Sequence, residues 1–385
     1  MVSPVPAHLQ AALVAGETSG DLLAGLMLDG LKTRWPDMSS AGIGGPQMGR
    51  RGFEAWWPSD KLAVRGYVEV LRHYREIVGI RRQLRDRLLQ DKPDVFIGVD
   101  APDFNLDLEA DLKAAGIPCV HFVAPSVWAW RPERVEKIRR STDHVLCIFP
   151  FEPELLARHG ISASYVGHPL ANMIPLQPDR ADARAALGLP ADAEVLAVLP
   201  GSRASEVQYL ARRFFDACKL LRAERPGMRF VVPAIPALRE RIAQVAAQAG
   251  MAESIQIVEG RSHQVLAACD ATLIASGTAT LEAALFKRPM VIAYNMHWLS
   301  WRLMAPKRLQ PWVGLPNILC REFVVPELLQ DQATPRAMAD AVLAWLASPG
   351  KIAALTERFT ALHHELLRDT PTLCADALQK VLENR

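Results

Sequence analysis

The chain has 385 residues, half of them hydrophobic and 22% charged, which excludes a disordered chain and a single minimal core and favours two α/β domains. A net charge of +2 gives no electrostatic footprint for nucleic acid. The six cysteines, at 119, 147, 218, 269, 320 and 374, form no CxxC pair, which argues against zinc and dithiol chemistry and fits a reducing compartment.

Short apolar runs alternate with helical patterns from the start. A strand is expected at 11–15 and a helix over 21–34, joined by Gly16-Glu17-Thr18-Ser19-Gly20-Asp21. The two glycines permit a tight turn close to a substrate. Ser19 suits either an acceptor contact or a helix cap. Thr18 fills the position of the middle glycine of GxGxxG, which argues against a dinucleotide. The apolar run at 11–15 is too short for a signal peptide, and no apolar stretch reaches membrane-spanning length. Any membrane contact is therefore expected to be peripheral. Residues 61–92 carry a net +5. Over 74–92 the spacing predicts an amphipathic helix with Leu84 and Leu88 inward. Over 62–71 it reads as an exposed, basic and apolar surface suited to lipid.

The strand at 95–99 ends in Asp100-Ala101-Pro102-Asp103-Phe104-Asn105. Asp100 sits where a parallel strand ends, the place at which α/β folds put ligand groups, and its carboxylate can take a proton from an attacking hydroxyl. Asp103 reads as the N-cap of a helix over 105–115. On that helix Asp107, Glu109 and Asp111 point in different directions and read as a solvated face, so no metal is expected. Strands follow at 119–123, 145–149 and 164–166. His121 is either a strand-core histidine with a satisfied partner or a second acid/base. Trp128 and Trp130 read as packing residues.

A polar connector over 167–194, with Pro175 and Pro178, separates a second series of strands at 195–199, 230–233, 255–258, 271–275 and 290–293. Helices are expected at 205–224 and 238–249. Two strand-to-helix turns stand out. In Leu199-Pro200-Gly201-Ser202-Arg203, Gly201 allows close backbone approach, Ser202 adds a hydroxyl and Arg203 a forked cation, before a helix whose N–H groups suit a diphosphate. In Ser276-Gly277-Thr278, more N–H and O–H donors precede Glu282, which can accept ribose hydroxyls. The tail from 335 is helical, with Pro349 and Pro371 each starting a helix. The division expected is 1–170, 171–345, and C-terminal helices at 346–385 that pack back on the first domain or on a partner chain.

In chain order, GETSGD from 16, GIGGPQM from 42, DAPDFN from 100, PSVWAWR from 125, VGHPL from 166, LPGSR from 199, SGTATLE from 276, LPNIL from 315 and VPELLQ from 325 resemble the lipid-A-disaccharide synthase family. The resemblance implies an α/β GT-B fold with two Rossmann-like domains facing a cleft. It implies an inverting glycosyltransferase that joins UDP-2,3-diacylglucosamine to 2,3-diacylglucosamine 1-phosphate, giving a β(1→6) tetraacyl disaccharide 1-phosphate and UDP. Asp100 would be the base. Ser202, Arg203 and the helix ends after Gly201 and Gly277 would hold the diphosphate without a cofactor or metal, and Glu282 the ribose. Asn317 matches a family position of functional weight and would contact a substrate phosphate, although the residue pattern alone suits a turn equally. The family further implies a cytoplasmic protein, peripheral on the inner face of the inner membrane, and a homodimer that can exchange C-terminal parts. The rival readings are another GT-B enzyme, such as a UDP-N-acetylglucosamine 2-epimerase, and a non-catalytic UDP-sugar-binding protein.

Overall fold

The computed structural model describes residues 8–16, 18–62, 67–129, 132–296, 301–302 and 309–384, without the side chains of 18, 60 and 67–74. The chain forms two compact units. One comprises the described residues up to Pro169 together with those from Leu366 onward, and the other runs from Leu170 to Glu365.

The first unit is built on seven parallel strands in the order β3-β2-β1-β4-β5-β6-β7. They are β1 (Gln10–Ala15), β2 (Ser39–Gly44), β3 (Glu54–Pro58), β4 (Val95–Val99), β5 (Cys119–Phe122), β6 (His144–Cys147) and β7 (Ala163–Tyr165). The run Val95-Phe96-Ile97-Gly98-Val99 is buried on both faces, as a parallel sheet covered by helices requires. β2 and β3 are not apparent from the sequence pattern. Ser39-Ser40-Ala41-Gly42-Ile43-Gly44 has one large apolar residue, and its backbone comes so close to β1 that a Cβ on Gly42 would lie 2.2 Å from the Leu13 carbonyl oxygen. The helix Tyr67–Asp91 turns Ile80, Leu84 and Leu88 into the core. The lipid-facing expectation for 62–71 falls almost wholly outside the described residues. The last helix, Thr370–Glu383, packs along Thr18–Arg34. Arg34 reaches Asp376 and Gln379 on it.

The second unit holds six parallel strands in the order β10-β9-β8-β11-β12-β13. They are β8 (Val195–Leu199), β9 (Arg229–Ala234), β10 (Ile255–Glu259), β11 (Ala271–Ala275), β12 (Met290–Tyr294) and β13 (Glu327–Leu329). Its core centres on Phe214, Phe215, Phe230 and Leu273. The helices Pro335–Leu346 and Pro349–Leu366 follow, the second starting at Pro349 as expected, and Pro371 lies in the first turn of Thr370–Glu383 in the first unit. Among the described residues no single helix is long and apolar enough to cross a membrane.

Both sheets place their ligand positions by the same logic. In an open parallel sheet, a crevice opens where neighbouring strands send their following helices to opposite faces. In the first unit that point lies between β1 and β4, where Ala15 pairs with Val99. In the second it lies between β8 and β11, where Leu199 pairs with Ile274. The four loops leaving these strands begin at residues 16, 100, 200 and 276.

Candidate active site

In the first unit, Asp100 follows β4 directly and is partly exposed. Its amide donates to the Phe122 carbonyl at 2.9 Å, which keeps it tied to the sheet edge. Asp100 and Ala101 both adopt left-handed backbone, at φ +52° and +44°, and Val123 beyond β5 does so at +78°. Such strain costs about 1–3 kcal/mol per residue and collects at functional sites. The Asn105 amide stabilises the turn by donating to the Asp100 carbonyl at 2.8 Å. Asp103 is not the N-cap: it lies in the first turn of Pro102–Ala114, exposed, and pairs with Arg134 at 2.5 Å. The helix starts after Ala101 because the left-handed pair already turns the chain there.

Gly16 lies against this turn, for a Cβ on it would meet the Ala101 Cβ at 3.2 Å. Ser19 is exposed in the first turn of Thr18–Arg34. Asp21 is buried and takes a structural part. Its carboxylate accepts from the amides of Gly45, Gln47 and Met48 at 2.9, 2.8 and 3.1 Å. The GETSGD and GIGGPQM segments thus hold each other. Trp128 packs edge-on to Phe151 at 5.3 Å, and its indole N–H donates to the buried Glu152 at 2.9 Å. Trp130 and Arg131 lie outside the described residues.

In the second unit, Gly201 has φ +123°, and a Cβ there would fall 2.3 Å from the Glu206 Cβ. The helix Ala204–Glu224 opens with Glu206 reaching back, so that its Oε2 accepts from the amides of Ser202 and Arg203 at 2.9 and 3.1 Å. This is the reach-back half of a capping box. Arg203 is 64% exposed while Glu206 is 14% exposed, so the guanidinium remains open to solvent beside a carboxylate held against the amides. Gly277, at φ +151°, precedes Thr278–Leu285, and a Cβ on it would meet no other group within 4 Å among the described residues. The Ser276 hydroxyl donates to the Val313 carbonyl at 3.0 Å. Glu282 is largely buried, 3.7 Å from the His263 ring nitrogen, and burial raises its carboxyl above the usual range.

Asn317 is fully buried in Leu315–Cys320. Its Nδ2 donates to the Val325 carbonyl and to Glu327 Oε1 at 2.9 and 2.8 Å, and its Oδ1 accepts from the Val325 amide at 3.0 Å. Glu327 in turn accepts from the amides of Val313 and Gly314. Asn317, Glu327 and Ser276 therefore fasten one loop to the ends of β11 and β13.

A family model described as lipid-A-disaccharide synthetase matches residues 11–377. The chain belongs to the lipid-A-disaccharide synthase family. It is 69% identical over full length to the lipid-A-disaccharide synthase of Albidiferax ferrireducens. It is 52% identical to that of Burkholderia pseudomallei (strain 1710b), over 98% of this chain and 97% of the relative. Among solved structures, the glycotransferase of kitacinnamycin superposes with a TM-score of 0.64 at 16% identity, over 98% of this chain and all of that one. The UDP-GlcNAc 2-epimerase from Neisseria meningitidis, bound to UDP-GlcNAc, gives 0.63 at 11% identity, with 98% and 100% covered. The fold is GT-B, and the activity is that of a lipid A biosynthesis glycosyltransferase.

Set beside this lipid-A-disaccharide synthase framework, three residues of weight escape a reading of the sequence. Glu206 and Glu327 look like ordinary surface acids, yet each gathers backbone amides. Glu109, expected on a solvated face, is completely buried, because Gly98 opposite it leaves room for its carboxylate. The reach-back spacing of Arg203 and Glu206 is the one signal that could have revealed its residue.

Proposed function

We propose that the chain transfers 2,3-diacylglucosamine from its UDP conjugate to 2,3-diacylglucosamine 1-phosphate. The acceptor hydroxyl oxygen bonds to the donor anomeric carbon as the bond from that carbon to the diphosphate breaks. Asp100 takes the hydroxyl proton, and UDP leaves with the bonding pair. The anomeric centre inverts in this single displacement. The position of Asp100 at the strained end of β4, beside the first switch point, in a chain of this family, carries the reading. General-base catalysis of this kind is worth about 10²–10⁴ in rate.

In the same reading the Ser202 hydroxyl, the Arg203 guanidinium and the amides following Gly277 hold the diphosphate at the turns of Gly201 and Gly277, with the guanidinium doing the work of a cation, while the Ser202 and Arg203 amides are taken by Glu206. Ser276 and Thr278 line the same turn, Glu282 receives ribose hydroxyls, and Ser19 faces the acceptor. Asn317 acts by holding the loop that follows Val313. Both substrates are acylated, so the chain works at a bilayer surface, peripheral to the inner membrane, and as a homodimer.

A mass-spectrometric assay with both acylated sugars tests the proposal. A tetraacyl disaccharide phosphate formed with equimolar UDP is expected, and Asp100→Asn should lose most turnover while folding normally. Consumption of UDP-N-acetylglucosamine alone, with no disaccharide from the acylated pair, would refute it in favour of an epimerase.

A further inference from the structure

Glu282 is the carboxylate proposed to receive the ribose, and among the described residues one ionisable side chain faces it. It lies in Thr278–Leu285 one turn beyond Thr278, about 6 Å along the helix from the turn given to the diphosphate. That interval suits the sugar attached to the first phosphate of a nucleotide. Glu282 is 19% exposed, and no hydrogen-bond donor among the described residues reaches its carboxylate. Largely buried polar groups are normally paired, so its lone pairs stand open to the hydroxyls of a ligand.

His263 stands opposite, with its Nε2 3.7 Å from Glu282 Oε2. The strand β10 ends at Glu259, the chain turns at Gly260 with φ +63°, and the helix Ser262–Ala268 carries His263 in its first turn. Arg261 fixes that turn, for its guanidinium donates to the Ala186 carbonyl at 2.7 Å and to Gln264 Oε1. The imidazole rests edge-on against Phe286, with ring centres 5.4 Å apart and planes at 62°. Phe286 is itself buried at the C-terminal end of Thr278–Leu285. One helix therefore supplies both the carboxylate and the surface that orients the imidazole. His263 remains 40% exposed, within reach of a ligand.

The width of the gap bears on what the pair is for. A direct charge-assisted hydrogen bond spans about 2.7–2.9 Å, and an ion pair kept for stability gains by closing to that distance. At 3.7 Å the two atoms do not bond directly. A hydroxyl oxygen about 2.8 Å from each fits astride them, accepting from the imidazole Nε2–H and donating its own proton to the carboxylate. Burial raises the Glu282 carboxyl while the charge of His263 opposes it, so the ring that donates also favours the ionised acceptor.

We infer that His263 is a nucleotide-binding residue which, with Glu282, grips one hydroxyl of the ribose diol and so selects ribonucleotides over their deoxy forms. The inference rests on Glu282 being the ribose acceptor.

Calorimetric titration of the full chain with UDP, 2′-deoxy-UDP and 3′-deoxy-UDP tests it, in wild type, His263→Ala and Glu282→Gln. His263→Ala should weaken UDP roughly 3- to 30-fold, the worth of one hydrogen bond. It should weaken one deoxy analogue by the same factor and leave the other unchanged, which identifies the hydroxyl held between the two side chains. Glu282→Gln should lose most of the discrimination against that same analogue. An equal loss for all three nucleotides in His263→Ala, as expected of a structural or water-filled pair, overturns the inference, and so does no loss at all. If Glu282→Gln keeps the full wild-type discrimination against both deoxy forms, the ribose assignment itself fails. A Glu282→Gln that loses discrimination beside a His263→Ala that keeps it overturns the inference alone. Wild type needs no variant to fold, and equal affinity for UDP and both deoxy forms there refutes the selection outright.

Discussion

Replacing Asn317 by alanine separates two parts that this residue can play. Its amide makes three hydrogen bonds within the second unit, two to the Val325 backbone and one to Glu327. Val325 is 1% exposed, so in Asn317→Ala its N–H and C=O would both lose their partner away from water. Each orphan costs about 1–3 kcal/mol, so the variant should lose roughly 2–6 kcal/mol. Domains of this size shift by about 2–4 °C per kcal/mol, which puts the melting midpoint down by at least about 4 °C. Glu327 keeps its bonds to the Val313 and Gly314 amides, so the loop should loosen without unfolding the unit. Asn317→Asp should be no better, because a second carboxylate would then face Glu327 and the Val325 carbonyl. Thermal melting gives the stability, and calorimetric titration with UDP well below the midpoint gives the affinity. An unchanged midpoint with UDP binding abolished would refute this reasoning. The amide would then act on the ligand directly.

Four further outcomes follow from the geometry. Arg203→Ala should weaken UDP binding by about 1.5–3 kcal/mol, the worth of a charged hydrogen bond, and unchanged affinity in a calorimeter would remove it from the diphosphate site. Glu206→Gln should tighten UDP severalfold, since the amide oxygen can still accept from Ser202 and Arg203 while the charge that repels the anion is gone; weaker binding would show that the loop needs the Glu206 charge more than the ligand needs its absence. Gly30→Ala should cost about 1–3 kcal/mol by overpacking, because its Cβ would fall 2.0 Å from the Pro371 carbonyl oxygen; the readout is proteolytic release of the last helix. Burial raises Glu152 to about 7. A raised carboxyl favours folding while protonated, so wild-type stability should fall as pH rises from about 4.5 through about 7, whereas Glu152→Gln should show a flatter profile; parallel melting curves across that range would contradict it.

The parallel strands rich in Val, Ile and Leu were legible because burial on both faces leaves an apolar run, as in Val95–Val99 and Ala271–Ala275. β2 was not, for its Gly42 serves backbone proximity and its Gly44 leaves room for the Met48 and Phe53 side chains. β3 and β13 are short edge strands whose partly buried residues leave no continuous run. The turns carrying Asp100, Gly201 and Gly277 were legible as strand-to-helix junctions, because glycine and short polar residues stand out against apolar strands. What these turns rest on was hidden. Nothing in the spacing of Glu109 distinguishes it from Asp107 and Asp111, and only the absent side chain at Gly98, far off in sequence, makes its burial feasible. Likewise Asn317 looks like a turn residue until Val325 and Glu327 are folded against it.

The return of Thr370–Glu383 to the first unit bears on how the molecule is made. A ribosome delivers Thr18–Arg34 early, yet the helix that covers it emerges only after the entire second unit. Domains tend to fold as they are synthesised, so the sheet bearing Asp100 must wait, with the Gly30 and Arg34 face of its first helix uncovered, while the later unit closes first. Truncating the last helix should therefore yield nascent chains whose second half is protease-resistant and whose first half binds chaperones.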